Sequence, residues 1–322
     1  MSGGDGERRL RVHSVTWEAE GIHSYELRDP EGGELAPFTA GAHIDLHLPS
    51  GVVRSYSLVN PQGERRRYVI AVQRDRASRG GSTWVHDNLR VGAMIPVASP
   101  RNNFPLAEDG AHSLFIAGGI GITPLWCMMQ RLAALGRPFE LYDCVRTRKE
   151  AAFREPIAAL AEKAGAKLVF NFDGEPGGKM LDIAAVVGQA DAQAHLYCCG
   201  PLPMLAAFEE ATKDRPREHV HVEYFTPKEA PAAEGGFTVV LAKTGRSFTI
   251  APGKTILETL LDAGLDVASS CLEGVCGTCE TKVLEGIPDH RDVVLTESER
   301  KANKTMMICC SGSKTERLVL DL

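Results

Sequence analysis

The sequence of 322 residues lacks long hydrophobic runs and any surplus of positive charge. No stretch approaches the roughly 18 consecutive apolar residues of a membrane-spanning helix, and the opening residues MSGGDGERRLRV contain no apolar segment typical of a signal peptide. The 36 lysines and arginines are outnumbered by 42 aspartates and glutamates, and the net charge of −6 argues against general nucleic-acid binding. We therefore expect a cytoplasmic protein, a monomer, that binds neither membrane nor nucleic acid.

The sequence also lacks a plausible disulfide framework. Its nine cysteines are odd in number and unevenly spread, which suits paired bridges poorly in a chain of this length. Four of them, within the last 52 residues, have a spacing typical of metal ligands. The cysteines therefore point to metal chemistry rather than to stabilisation by bridges.

The pattern of predicted strands and helices changes twice along the sequence and predicts three domains. Residues 1–108 contain short alternating runs separated by Gly/Pro turns, which predicts an antiparallel β domain, either a barrel or a sandwich. Residues 109–226 alternate strand and helix patterns, which predicts an α/β doubly wound nucleotide-binding domain with a parallel sheet. A linker rich in Pro, Ala and Gly follows at 227–236, and 237–322 contain a hairpin, a helix and the cysteine cluster, typical of an α+β domain.

The strongest motif is the cysteine cluster near the carboxyl end. Cys271, Cys276 and Cys279 follow a C-x4-C-x2-C pattern, and Cys309 stands 30 residues further on, as in plant-type [2Fe–2S] sites. A structural zinc site and incidental buried cysteines are the alternatives, although zinc sites usually contain two close pairs. Cys310 adjoins Cys309; since neighbours on a strand point to opposite faces, we expect one ligand of the two and choose Cys309.

Two segments of the β domain are candidates for a flavin site. The segment 54–57 offers Arg54 for a phosphate, Tyr56 for an aromatic face, and Ser55 and Ser57 for polar ring atoms. The second segment, Arg79-Gly80-Gly81-Ser82, resembles a phosphate cradle at a helix N-terminus. Taken separately, ordinary packing of Tyr56 and a surface turn at 79–82 remain the alternatives.

A glycine-rich turn predicts the nicotinamide site. Gly118, Gly119 and Gly121 follow an apolar strand and open a helix, where backbone N–H groups can meet a pyrophosphate. Thr123 is expected to cap that helix, with a cofactor contact as a second role. The segment Cys199-Gly200-Pro201 ends another strand, where ligands collect in parallel sheets; a buried structural thiol is the alternative for Cys199. Arg146 and Arg148 leave NADPH open as an alternative to NADH.

With these motifs in this order, the chain resembles the phthalate dioxygenase reductase and vanillate demethylase reductase family, within the ferredoxin–NADP reductase superfamily. The resemblance covers essentially the whole chain. It depends on eight segments: 54–58, 68–72, 79–82, 99–105, 118–124, 197–201, 271–279 and 318–322.

The resemblance implies a β-barrel that binds FMN, a domain that binds NADH and a plant-type ferredoxin domain with a β-grasp fold. It implies that Arg54, Tyr56 and Ser57 contact the flavin, that 79–82 lie at its phosphate and that Phe225 covers its ring. We place Ala71, Val72 and Gln73 in the cofactor-binding set as well. The family's Cys-x-Ser pattern agrees with Cys309 as the ligand, whereas Gly312 replaces a frequent arginine and leaves partner recognition there in question.

These sites predict one electron route. Nicotinamide gives two electrons as a hydride and a [2Fe–2S] cluster accepts one, so a flavin must lie between them. We assign no acid–base pair. The resemblance implies a Rieske-type oxygenase acting on an aromatic acid as the transient partner; a haem monooxygenase as acceptor and a redox-sensing binding module are the alternatives.

Overall fold

The computed structural model describes residues 7–75 and 80–322, which divide into two compact units, 1–223 and 224–322. Within the described residues, no helix combines the length and apolar character needed to cross a membrane. Arg79, predicted to bind a phosphate, lies outside the described residues.

The first unit begins with a curled antiparallel sheet. Its strands run in the order β4-β3-β6-β1-β2-β5, and a bridge between Leu58 and Ile70 brings its two edges together. Side chains alternate between core and solvent along β1, where Leu10 and Val12 are fully buried. The sheet is therefore the predicted β-barrel. Its elements are β1 (Arg8–Ala19), β2 (Ile22–Arg28), β3 (His43–His47), β4 (Val53–Ser57), β5 (Tyr68–Gln73), α1 (Gly81–Asn88) and β6 (Met94–Val97).

The same unit continues into a five-stranded parallel sheet in the order β11-β10-β7-β8-β9. Helices α2 and α3 pack together on the core that contains Phe115 and Cys199, while α4 packs on α5. This arrangement confirms the predicted doubly wound fold. Its elements are β7 (Ser113–Gly118), α2 (Ile122–Leu135), β8 (Phe139–Val145), α3 (Arg154–Ala164), β9 (Lys167–Phe172), α4 (Ile183–Gln189), β10 (His195–Cys199), α5 (Leu202–Ala211) and β11 (Val220–Glu223).

The start of α2 differs from the sequence prediction. Thr123 lies inside the helix, and Gly121 occupies the cap position. The Thr123 hydroxyl donates to the carbonyl of Ile120 at 2.9 Å, so it satisfies an acceptor of the preceding turn instead of capping an amide. The prediction of Thr123 as the N-cap was therefore wrong, because the turn over Gly119–Gly121 already begins the helical path. The helix ends at Gly136, whose φ of 65° lies in the left-handed region that favours glycine.

The second unit holds a mixed sheet in the order β13-β12-β18-β14-β16 and a two-stranded ribbon of β15 and β17. Helix α6 begins with a capping box between Thr255 and Glu258. Buried Val239, Leu257 and Leu318 belong to its core. This is the predicted α+β domain. Its elements are β12 (Thr238–Leu241), β13 (Ser247–Thr249), α6 (Ile256–Asp262), β14 (Glu280–Glu285), β15 (Pro288–Asp289), α7 (Glu297–Ala302), β16 (Thr305–Met307), β17 (Gly312–Ser313) and β18 (Arg317–Leu320).

Candidate cofactor sites

The four predicted iron ligands lie together in the second unit. All four are buried, with exposed fractions between 3 and 8%. The Cys271 thiol is hydrogen-bonded to the thiols of Cys276 and Cys309, and Cys279 is hydrogen-bonded to Cys309. These hydrogen bonds lower the pKa of Cys271, whereas the Cys271 thiol and burial raise the pKa of Cys276. The four thiols therefore form one connected group.

The arrangement of this group distinguishes between two kinds of metal. A zinc ion would need four sulfurs about 2.3 Å from a single point. Among the described residues, no three His, Cys, Asp or Glu side chains are placed to hold a single ion. Zinc sites usually contain two close pairs of ligands, whereas three of these thiols come from one loop with C-x4-C-x2-C spacing and the fourth from a distant turn. This arrangement fits a [2Fe–2S] cluster better than zinc.

The backbone of the ligand loop turns tightly around the thiols. Gly274 and Gly277 have φ of 72° and 76°, in the left-handed region that favours glycine. Leu272 shares this conformation with φ of 60°, although it has a side chain. The turn directs the N–H of Glu273 to the sulfur of Cys271 at 3.4 Å. Amide hydrogen bonds of this kind stabilise charge on a ligand sulfur.

Cys309 and Cys310 lie in a turn after β16, and not in a strand. The argument from strand alternation was therefore wrong, because a turn does not send neighbouring side chains to opposite faces. The hydrogen bonds of Cys309 to Cys271 and Cys279 place it within the group. Cys310 lies behind the loop, where a Cβ added to Gly274 would come within 2.4 Å of its sulfur.

The two predicted flavin segments meet at the start of α1. A Cβ added to Gly81 would lie 2.6 Å from Nε of Arg54, so only glycine allows this guanidinium against the helix. Gly80, with φ of 94°, occupies the N-cap position. A guanidinium beside the amides of a helix N-terminus is suited to a phosphate.

The other predicted flavin-binding residues of the β-barrel lie in different environments. Burial raises the pKa of the Tyr56 phenol, which therefore stays neutral. Ser57 is buried, but the hydroxyl of Ser55 donates to Asp45 at 2.7 Å and is committed to that contact. Strand β5 carries Ala71, Val72 and Gln73 and lies against the turn over Gly119–Gly121. The barrel strand and the glycine turn are thus neighbours within one unit.

The two predicted nicotinamide segments, 118–123 and 199–201, lie in close contact at the carboxyl ends of β7 and β10. A Cβ added to Gly121 would lie 2.1 Å from the carbonyl oxygen of Cys199. A Cβ added to Gly118 would lie 2.5 Å from Cδ of Pro201, and Gly200 is equally confined by Met204. Both motifs therefore contain glycine because the backbones approach closely. This edge is where parallel sheets bind their ligands.

Sequence reasoning missed Glu223, the last residue of β11. Its register partner is Cys199, whose thiol lies 4.0 Å from its carboxylate. Burial raises the pKa of Glu223 to about 8, and burial also holds the Cys199 thiol protonated. An acid within an otherwise strand-like segment was the available signal. Glu223 therefore carries a proton at neutral pH at the nucleotide edge.

Other predicted contacts remain predictions. Phe225 is 37% exposed and belongs to the second unit, so its role against the flavin ring is open. Arg148 pairs with Glu175 at 3.1 Å, and the same carboxylate accepts from the Arg148 amide at 3.0 Å. A guanidinium already paired with a carboxylate is a poor receptor for a 2′-phosphate. Arg148 is therefore engaged by Glu175, and the preference for NADH stays a prediction.

Comparisons with known proteins agree with these sites. Residues 115–210 match an oxidoreductase NAD-binding domain, and residues 239–313 match a 2Fe-2S iron-sulfur cluster binding domain. The phenoxybenzoate dioxygenase subunit beta of Ectopseudomonas oleovorans is 54% identical over 97% of each chain, and the tetrachlorobenzoquinone reductase of Sphingobium chlorophenolicum is 52% identical over 97% of each. The crystal structure of phthalate dioxygenase reductase is 40% identical, with a TM-score of 0.75 over 99% of this chain and 98% of the other.

These matches confirm the resemblance, the three-part fold and the assignment as an oxidoreductase with nicotinamide and iron–sulfur domains. They extend over nearly the full length of this chain and of its relatives, so they concern the whole architecture. The chain belongs to the family of phthalate dioxygenase reductase and vanillate O-demethylase reductase, the reductase components of oxygenase systems.

Proposed function

We propose that the chain accepts a hydride from NADH at an FMN bound to the barrel and delivers single electrons through a [2Fe–2S] cluster to a Rieske-type oxygenase that acts on an aromatic acid. The observation that carries the proposal is the connected thiol group of Cys271, Cys276, Cys279 and Cys309, present in one chain with the paired nucleotide motifs. Bound FMN supplies the conversion of a two-electron donation into single-electron delivery.

The chain's own residues have separate tasks in this scheme. Arg54 and the amides at Gly80, Gly81 and Ser82, with Arg79, hold the FMN phosphate, while Tyr56 and Ser57 orient its ring.

On the nucleotide side, Gly118, Gly119 and Gly121 let the helix amides of α2 reach the pyrophosphate. Cys199, Gly200 and Pro201 line the nicotinamide, and Thr123 adjoins them. Glu223 holds a proton beside Cys199 because burial favours its neutral form.

We further propose the domain boundaries 1–108, 109–226 and 237–322 with a linker at 227–236, and a cytoplasmic monomer that binds no membrane or nucleic acid. Absence of a basic surplus is the argument against nucleic acid. The contact with the oxygenase is transient, as electron-transfer contacts usually are.

A small-molecule quinone is the second candidate acceptor, since a relative of 52% identity is named tetrachlorobenzoquinone reductase. A quinone can take electrons at the flavin, whereas an oxygenase needs the cluster. A haem monooxygenase remains the alternative protein acceptor. The variant Cys276→Ser distinguishes a quinone acceptor from a protein acceptor. Loss of the cluster should stop electron transfer to a protein acceptor and leave flavin-dependent reduction of a quinone intact.

The central experiment compares the wild type with Cys276→Ser in two assays. We expect the variant to lose NADH-dependent cytochrome c reduction and to keep NADH–ferricyanide reduction, which requires only the flavin. Cys198→Ser is the matched control, because Cys198 is also buried but lies in the parallel sheet. Loss of both activities in a folded, flavin-loaded Cys276→Ser protein would contradict the electron order. Anaerobic titration with NADH and NADPH tests the nucleotide preference.

A further inference from the structure

The proposed linker is bound to the second unit over most of its length. Its composition is typical of a flexible connection, yet an ion pair and backbone hydrogen bonds hold residues 229–236, here called the strap. The bonded pairs are Glu229 and Arg291 at 3.0 Å, Ala232 and Cys310 at 2.8 Å, Ala233 and Gly253 at 2.8 Å, and Gly236 and Ile250 at 2.8 Å. All four partners lie within 224–322, so the strap belongs to the second unit.

One of these hydrogen bonds reaches the turn that carries Cys309. The Ala232 amide donates to the carbonyl of Cys310, the residue that follows the proposed iron ligand. The Cys310 amide in turn donates to the Met307 carbonyl at 3.3 Å, which closes the turn. Because Cys310 is bonded through both its amide and its carbonyl, the position of its neighbour Cys309 depends on the strap.

Arg291 connects the strap to the same turn a second time. Its guanidinium pairs with Glu229 at 3.0 Å and with Asp289 at 2.8 Å. Its backbone amide donates to the Ser311 hydroxyl at 3.2 Å. Cys310 and Ser311 are both 1% exposed, so the turn is shielded from water on the side of these contacts.

Gly312 allows the strap to approach the turn. A Cβ added to Gly312 would lie 2.8 Å from the Cβ of Ala232, well inside the contact distance of two carbon atoms. The next atoms, in Phe237 and Asp289, would lie at 3.9 Å, which is an ordinary contact. A side chain at Gly312 would therefore displace the strap before it disturbed any other neighbour.

We propose that the strap positions the turn of Cys309 against the [2Fe–2S] cluster and keeps water from it, with Ala232 as a positioning residue that acts through this turn. Solvent exposure and hydrogen bonding around the ligand sulfurs set the potential of such a cluster. Water stabilises the additional negative charge of the reduced cluster, so a shielded turn keeps the potential low. The inference rests on the ligand set of the proposed function.

Two reciprocal substitutions test the inference in purified holoenzyme. We expect Gly312→Ala to shift the midpoint potential of the cluster to more positive values and to speed the loss of iron to a chelator about fivefold, the ratio that corresponds to one hydrogen bond. The double variant Gly312→Ala/Ala232→Gly removes the clash and keeps the backbone amide, so both values should return close to those of the wild type. Gly188→Ala is the matched control in α4, where an added Cβ meets no atom within 4 Å, and it should change neither value.

Hydrogen exchange in the wild-type holoenzyme needs no variant. The Ala232 and Gly236 amides should exchange more slowly than in an unstructured peptide of the same sequence, because both are hydrogen-bonded. Exchange at the rate of that peptide, an unchanged potential in Gly312→Ala, or a double variant as perturbed as the single one would overturn the inference. If Gly312→Ala takes up no cluster, the double variant must restore it. A wild type that binds no iron and sulfide would refute the proposed function instead, since exchange at Ala232 is measured independently of the cluster.

Discussion

Asp143 provides a test of how a buried carboxyl affects the free energy of unfolding of the nucleotide-binding domain. It lies in β8, which runs between β7 and β9 in the parallel sheet, and it pairs with Ala117 on one side and Phe170 on the other. Its side chain is fully buried, and neither carboxylate oxygen has a hydrogen-bond partner among the described residues. Burial raises the pKa of this carboxyl from 3.8 to about 7. The neutral acid is therefore the form that the fold accepts.

The sign of the effect follows from proton linkage. Between pH 4 and 7 the folded chain keeps a proton on Asp143 that the unfolded chain has lost, so the free energy of unfolding falls as pH rises through this range. The two pKa values differ by about 3, and each pH unit corresponds to about 1.4 kcal/mol, which gives an upper value of about 4 kcal/mol. Local relaxation reduces such penalties, so we expect about 2 to 4 kcal/mol.

The substitution Asp143→Asn removes the charge with little change in volume. We expect the variant to match the wild type near pH 4 and to exceed its free energy of unfolding at pH 8 by about 2 to 4 kcal/mol. Tryptophan fluorescence in urea is a suitable assay, because Trp17, Trp84 and Trp126 all belong to the first unit.

The control for this prediction is Asp45→Asn. Asp45 is also buried, but its carboxylate accepts from Arg101 at 2.6 Å, so removal of its charge should destabilise the first unit at pH 8. A difference between Asp143→Asn and wild type that is the same at pH 4 and pH 8 would refute the reasoning.

Three further predictions concern single residues. Gly121→Ala should lower the free energy of unfolding of the first unit by at least about 2 kcal/mol and abolish tight NADH binding, because the added Cβ would lie 2.1 Å from a carbonyl oxygen. Unfolding followed by fluorescence measures the first effect, and titration with NADH measures the second. Burial lowers the pKa of His221 from 6.5 to about 4, so between these pH values the unfolded chain binds a proton that the folded chain does not, and the free energy of unfolding falls as pH falls. His221→Phe, which keeps the stack on Tyr197, should lessen that decline by about 2 kcal/mol, measured by urea unfolding at pH 7 and pH 4.5. Leu272→Gly should stabilise the second unit by about 0.5 to 1 kcal/mol, because φ of 60° disfavours a residue with a side chain. Unfolding in urea, followed by the absorbance of the cluster, measures this change. A loss of stability would show that Leu272 makes compensating contacts.

Much of the fold follows from the sequence because its signals are local. The alternating order of strand and helix segments predicts strands at 139–145 and 167–172, and the structure places strands at the same residues. The pair of Thr255 and Glu258 identifies a helix start because the two hydrogen bonds of a capping box require that spacing. Likewise, Cys271, Cys276 and Cys279 are close in sequence, so their spacing alone predicts that one loop brings them together.

Errors arose where two conformations compete for the same residues. Thr123 before Pro124 suits an N-cap, yet the helical path begins earlier, since Gly119 adopts φ of 56° and starts the turn. Sequence pattern contains little information on such a backbone choice, because glycine allows both alternatives.

The long-range contacts of the site could not be predicted for a different reason. Glu223 and Cys199 are 24 residues apart and meet only because β10 and β11 pair in one register. A shift of that register by a single residue would turn one of the two side chains to the opposite face of the sheet. The raised pKa of Glu223 therefore belongs to the sheet and not to any sequence motif. The same holds for Asp143, whose neighbours Ala117 and Phe170 come from other strands and provide no partner for its charge. The raised pKa values of Asp143 and Glu223 follow from their places in the sheet, which only a structure reveals.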